Sequence, residues 1–182
     1  MFQYKLINEF LSEYQCQSVL DYSLNNIELQ TAKIIGENEV IVDSHRKSKI
    51  GFNKYDNFDF LYNKITNLIN ENLSVNGYEI KWNNKGYQFT SYGKRDYYNW
   101  HTDEGHERYC SVVILLNDNY DGGLLELMVE NKIVKIEPKR GNAVIFLSNL
   151  NHRVTEVLEG TRYSLVNWLT LTPIEGRKKS II

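Results

Sequence analysis

The segment NWHTDEGHERYC, Asn99–Cys110, holds two of the chain's four histidines and three carboxylates, between an aromatic run and a strand-like apolar run. Such a segment is either a solvated polar loop or part of a metal site. His101 and Asp103 are separated by one residue. Residues i and i+2 of an extended strand project to the same side, so His-x-Asp presents an imidazole and a carboxylate together. The pair alone is a weak signal. A third ligand must come from elsewhere, and His45, His106 and His152 are the remaining histidines. His152 follows the apolar run NAVIFLS and opens the stretch HRVTEVL. That position at a strand edge suits a side chain facing a barrel interior. His106 reads as a solvated loop residue, and His45 as a structural or surface residue.

Two histidines and one carboxylate leave three open positions on an octahedral metal, the arrangement that suits non-haem Fe(II). Zinc favours a tetrahedral site with three protein ligands and a water. Arg162 bears on the choice. It lies ten residues after His152, across the turn LEGT, and with Ser164 it reads Arg-x-Ser, again two side chains on one face. A guanidinium facing an apolar barrel is costly without an anion. A carboxylate-bearing cosubstrate supplies that anion through a bidentate pair. 2-Oxoglutarate fits, with its distal carboxylate on Arg162.

These side chains need a scaffold. Ser12 with Gln15 has the form of a capping box, followed by Val19, Leu20 and Leu24 at helical spacing. A second helix is predicted from about Asp56 to Leu73, with Phe58, Leu61, Ile65, Leu68, Ile69 and Leu73 as its apolar stripe. From Tyr78 the pattern changes to short strands: EIKW, YQFTSY, YCSVVILLN, LLELMV, KIVKIEP, NAVIFLS, HRVTEVL and TRYSLVNWLTL, broken by turn signals such as DNYDGG, PKRGN and LEGT. Strands at this spacing indicate a sandwich or barrel. The predicted fold is α+β, mainly β: a double-stranded β-helix (a cupin-like jelly roll) with N-terminal helices packed on the major sheet. Residues 1–182 are expected to form a single domain, with helical support over about 1–75 and the jelly-roll core over about 78–172.

A chain of 182 residues can bury a sizeable core. The formal net charge of -2 gives no overall basic surface for nucleic acid or acidic lipid. The two cysteines, Cys16 and Cys110, make no disulfide framework and read as free thiols in a reducing compartment. The N-terminal stretch MFQYKLINEFLSEY lacks the pattern of a signal peptide. The longest apolar run, Val112 to Leu116, is too short to span a bilayer. A cytoplasmic location without membrane contact is expected.

In order and spacing these motifs resemble the Fe(II)/2-oxoglutarate-dependent dioxygenases, specifically the prolyl 4-hydroxylase-like branch. The resemblance covers most of the chain and is strongest from Tyr87 to Leu169. It rests on Tyr92, HTD at 101–103, LLND, YDGGLLEL, GNAVIFLS, NHRVTEV and GTRYSLVNW, with FLSEYQC and HRKS further upstream. Two departures stand out. Where relatives often carry a glycine between the upstream Tyr and the His, this chain reads GKRDYY. Where some prolyl hydroxylases place a second Tyr against the cosubstrate carboxylate, the corresponding residue here is Leu115.

The resemblance implies Fe(II) on His101, Asp103 and His152, with Mn, Co, Ni or Zn able to replace it in a purified sample. It implies 2-oxoglutarate on Arg162, assisted by Tyr92 or Ser164, and O2 as co-reactant, with ascorbate as a supporting reductant. The products are succinate, CO2 and a hydroxylated substrate. The expected substrate is a prolyl residue of a peptide or protein, contacted by Arg108, Tyr98 and Trp168 and held between Lys94–Arg108 and the segment Arg46–Tyr55. Hydroxylation of a free amino acid or small metabolite is an alternative reading. A nucleic-acid demethylase is disfavoured, because those enzymes typically carry a second Arg where this chain has Trp168. A non-catalytic jelly-roll binding module would have no use for His101, Asp103, His152 and Arg162 in register.

Overall fold

A computed structural model describes residues 2–174 apart from 33, 36–39, 42–44, 55–56, 76, 83–85 and 106–107. The described elements run β1 (Tyr4–Ile7), α1 (Glu13–Asn26), β2 (Gln30–Thr31), β3 (Ile34–Ile35), β4 (Val40–Ile41), β5 (Arg46–Lys47), β6 (Lys49–Lys54), α2 (Asp59–Asn72), β7 (Tyr78–Trp82), β8 (Gly86–Tyr92) and β9 (Tyr97–His101). They continue with β10 (Arg108–Leu115), β11 (Asp121–Gly122), β12 (Leu125–Val129), β13 (Lys132–Ile136), β14 (Ala143–Leu147), β15 (His152–Val154), β16 (Val157–Glu159) and β17 (Arg162–Pro173). The larger sheet has the order β1-β14-β10-β17-β8-β6-β2, with β7 paired to β17. The smaller has the order β13-β12-β15-β9-β5.

Strand alternation divides the core in two. Val112 and Ile114 of β10, Ala143 and Ile145 of β14, and Leu165 and Leu169 of β17 share one apolar cluster with the buried faces of both helices. Their neighbours Val113, Leu115, Val144 and Phe146 point the other way, against Leu125, Leu127 and Ile136 of the smaller sheet. Period-2 alternation on strands buried on both faces produces this layering of helices, major sheet and minor sheet. It is the jelly-roll arrangement read from the strand pattern.

The Ser12 capping box is present: the Ser12 hydroxyl accepts from the Gln15 N–H at 3.2 Å, and Gln15 Oε1 accepts from the Ser12 N–H at 3.1 Å. The buried stripe of α1 is Cys16, Val19 and Ser23. Leu24 is 47% exposed, so the inward face lies one position away from the expected Leu20–Leu24 line. On α2 the buried residues are Leu61, Ile65, Leu68 and Ile69, as the periodicity predicts. Each such burial contributes about 1.5–3 kcal/mol. The helix begins at Asp59, because Phe58 is non-helical at φ -147° and ψ 73° and offers no side-chain cap, while the expected start at Asp56 lies outside the described residues.

HRVTEVL is two strands, not one. At the break, the Thr155 hydroxyl accepts from the Leu124 N–H at 2.8 Å. Beyond it β16 leaves the smaller sheet and pairs with β11. Among the described residues, no helix is long and apolar enough to cross a membrane.

Candidate metal centre

β9 and β15 are antiparallel neighbours in the smaller sheet, and their register sets His101 directly opposite His152. Asp103 lies just past the end of β9, where its backbone N–H donates to the Ser148 carbonyl at 2.8 Å. One ligand atom from each of His101, Asp103 and His152 falls within 4.8 Å of the others. Asp103 reaches His101 Nε2 at 3.9 Å through Oδ1 and His152 Nε2 at 3.6 Å through Oδ2.

Both imidazoles are oriented alike. His101 Nδ1 meets the Asn99 carbonyl at 2.8 Å, and His152 Nδ1 meets the Leu150 carbonyl at 2.8 Å. A carbonyl only accepts, so Nδ1 carries the proton and each Nε2 keeps its lone pair for a metal. The rings are fixed by stacking: Tyr98 on His101 at 3.4 Å between centroids, and the edge of Phe146 against His152 at 4.7 Å. Burial, reinforced by neighbouring His152, pushes the His101 pKa down to about 3, which keeps the ring neutral. Burial alone would raise the Asp103 pKa. His152, the Ser111 hydroxyl, His101 and the Trp168 indole outweigh it and hold the carboxyl ionised below its usual range. Ser111 donates to Asp103 Oδ2 at 2.6 Å and lies 3.3 Å from the Ser148 hydroxyl. Ser111 is the residue that sequence reasoning passed over. Its signal was a lone hydroxyl in the run YCSVVILL, on the same face as Val113 and Leu115.

Arg162 opens β17 and pairs with Tyr92 of β8, while Ser164 pairs with Thr90. Arg162 is 1% exposed. Its Nη1 donates to the Ser164 hydroxyl at 2.8 Å, and its guanidinium carbon sits 5.4 Å from the centre of the Tyr92 ring. Nε and Nη2 find no acceptor among the described residues. Leu115 belongs to the apolar cluster between the sheets and brings no hydroxyl to this pocket.

Tyr98, Arg108 and Trp168 flank the cluster. The Arg108 guanidinium lies over the Trp168 ring at 4.0 Å, and Trp168 pairs with Ser111 across the sheet. Trp168 Nε1 faces the Asp103 carboxylate, and Arg108 Nε is buried with no hydrogen-bond partner among the described residues. Arg46 covers the Tyr98 ring at 4.4 Å and donates to the Ser48 hydroxyl at 2.8 Å. His45 is held by the Trp100 carbonyl at 3.0 Å and is not one of the clustered ligands. His106 lies outside the described residues.

The donor set fits Fe(II). It offers two neutral imidazoles and one carboxylate, the mixed nitrogen and oxygen donors of a three-ligand facial site. A closed structural zinc site would draw in a cysteine. Cys16 and Cys110 are instead both buried in the helix-side cluster, with Cys110 on the opposite face of β10 from Ser111. The pocket also fits a carboxylate, since a buried guanidinium with two unpartnered nitrogens calls for one.

A model of the 2OG-Fe(II) oxygenase superfamily matches residues 87–170. A PKHD-type hydroxylase of Prochlorococcus marinus is 29% identical over 113 residues, covering 59% of this chain and 51% of the relative, so the chain spans about half the length of that relative. A prolyl hydroxylase of Trichoplax adhaerens, solved in complex with a hypoxia inducible factor oxygen degradation domain peptide fragment, superposes with a TM-score of 0.77 at 25% identity, over 92% of this chain and 83% of that one. A Pseudomonas putida prolyl-4-hydroxylase shares the fold with a TM-score of 0.74 at 21% identity, over 93% and 94% of the two chains. The matched segment runs from β8 into β17 and so spans His101, Asp103, His152 and Arg162, which places the similarity to the 2OG-Fe(II) oxygenase superfamily on the residues of the candidate site.

Proposed function

We propose that this chain is an Fe(II)- and 2-oxoglutarate-dependent dioxygenase that hydroxylates a prolyl residue in a peptide or protein. One observation carries the reading: a buried arginine with unpartnered nitrogens shares the sheet interior with a two-histidine, one-carboxylate cluster. His101, Asp103 and His152 hold the metal through the two Nε2 atoms and the carboxylate. Arg162 binds the distal carboxylate of 2-oxoglutarate, with Ser164 orienting the guanidinium and Tyr92 closing one side. When bound, Fe(II) with 2-oxoglutarate and O2 supplies the oxidising chemistry, which releases succinate and CO2 and inserts one oxygen atom into a substrate C–H bond.

The protein's own part is positional. Carbonyls at Asn99 and Leu150 hold the imidazoles as neutral donors, and Ser111 fixes the Asp103 carboxylate. Val113, Leu115 and Leu127 exclude water from the sheet interior. Tyr98, Arg108 and Trp168 receive the substrate, aromatic faces for an apolar ring and a guanidinium for a peptide carbonyl. Residues 1–182 act as one oxygenase domain, since both helices pack on the sheet that carries Arg162. The free thiols of Cys16 and Cys110 fit a reducing, cytoplasmic setting.

Succinate release with Fe(II), 2-oxoglutarate and ascorbate, measured across panels of proline-containing peptides, free amino acids and methylated nucleotides, tests the reading. Stimulation by proline peptides with a +16 Da product is expected. Stimulation by amino acids or nucleotides alone would remove the prolyl assignment and keep the oxygenase.

A further inference from the structure

We propose that Tyr120 is a cosubstrate-binding residue that donates its phenolic hydrogen to the same carboxylate as Arg162. This rests on the reading of the Arg162 pocket as the 2-oxoglutarate site. Tyr120 comes from a different part of the chain, the turn that leads into β11.

Two glycines fix its place. A Cβ at Gly123 would meet Arg162 Cδ at 3.2 Å and Tyr120 Cε2 at 3.3 Å, so the arginine stem and the tyrosine ring converge over that glycine. A Cβ at Gly160 would meet Tyr120 Cα and Cβ at 3.2 Å each. Both glycines sit at positive φ, +57° and +77°, where other residues are strained. The YDGG and LEGT turns therefore bring the Tyr120 ring up against the arginine.

The hydrogen-bond balance at that point points to an anion. The Tyr120 hydroxyl is buried against the Arg162 guanidinium and interacts with it, and among the described residues no acceptor is found for the phenolic proton or for Arg162 Nε and Nη2. A phenol oxygen can accept one guanidinium N–H, but its own proton and the remaining N–H groups still need an acceptor. The Ser164 hydroxyl already accepts from Nη1. A carboxylate has two oxygens with room for several donors and satisfies both side chains at once. Burial raises the Tyr120 pKa against the opposing pull of the Arg162 charge, so the phenol stays a donor.

The test measures binding, not turnover. The Mn(II)-loaded wild-type protein and its Tyr120→Phe variant are titrated calorimetrically with 2-oxoglutarate and with 2-oxobutyrate, which lacks the distal carboxylate. The variant should bind 2-oxoglutarate about ten- to a hundredfold more weakly, the effect of losing a hydrogen bond to a charged acceptor, and bind 2-oxobutyrate as the wild type does. Equal 2-oxoglutarate affinity in the two proteins overturns the role of Tyr120 and leaves the cosubstrate reading standing. Parallel weakening of both ligands makes Tyr120 structural and also overturns it. A wild-type protein that does not prefer 2-oxoglutarate over 2-oxobutyrate overturns the cosubstrate reading, and this inference with it.

Discussion

The Arg162 side chain makes the sharpest demand on a partner. A guanidinium 1% exposed, hydrogen-bonded to a serine hydroxyl and with no acidic side chain paired to it among the described residues, is poorly compensated until an anion joins it. Replacing Arg162 with Ala should raise the KM for 2-oxoglutarate by the equivalent of about 2–5 kcal/mol, the cost of losing a buried charged contact. Succinate formation titrated against cosubstrate reads this directly, and an unchanged KM would refute the role. Lysine should restore only part of the affinity, because an ammonium lacks the bidentate fork. Arg162 and the His-x-Asp pair were legible in the sequence because i, i+2 spacing on strands predicts a shared face. Tyr120 was not, because its place depends on two positive-φ glycines in separate turns, and no strand or helix period connects them.

At the scale of elements, the short strand β15 matters most. It has three residues and is held on one side by β9 and on the other by β12. On its outer face Arg153 donates to Glu126 of β12 at 2.7 Å and lies over the Trp100 ring of β9 at 4.7 Å. Glu126 is 3% exposed, while its other cationic neighbour, Lys135 at 3.9 Å, is largely solvated. Glu126→Ala should therefore destabilise the fold by about 1–3 kcal/mol, less than a fully buried pair would cost. It should also weaken metal binding, because His152 shares the strand. Urea unfolding and Mn(II) titration of the variant measure the two effects, and a loss of stability with no change in metal affinity would show that β15 keeps its place without the pair. The strand's existence was predictable from HRVTEVL, but its end was not. The Thr155 hydroxyl, bonded to the Leu124 backbone N–H, breaks the ladder through a long-range contact. The start of α2 at Asp59 was not legible for a related reason, since propensity does not register the non-helical backbone of Phe58.

Across the whole molecule, the two cysteines report on the helix-sheet interface. Burial pushes the Cys16 thiol from 9.0 up to about 11 and the Cys110 thiol to about 12. Both folded-state values lie above the unfolded one, so the unfolded chain releases these protons first. Thiol ionisation therefore favours unfolding as pH rises through about 9, and stability should fall there. At pH 8 neither thiol should react with a disulfide reagent until denaturant opens the core. Prompt labelling of the native protein would mean that α1 and α2 leave the sheet readily. The direct cross-strand pairing of His101 with His152 has a further consequence, for folding fidelity. A slip of β15 by one residue would turn His152 outward and carry Arg153 into the space beside Asp103, since neighbouring strand residues face opposite ways. The cluster would then hold two ligands and a competing cation, and Glu126 would be left buried beside an imidazole. A metal ion at this site would thus bind only chains that have paired β9 and β15 correctly, and mass action would draw misregistered chains back toward that pairing.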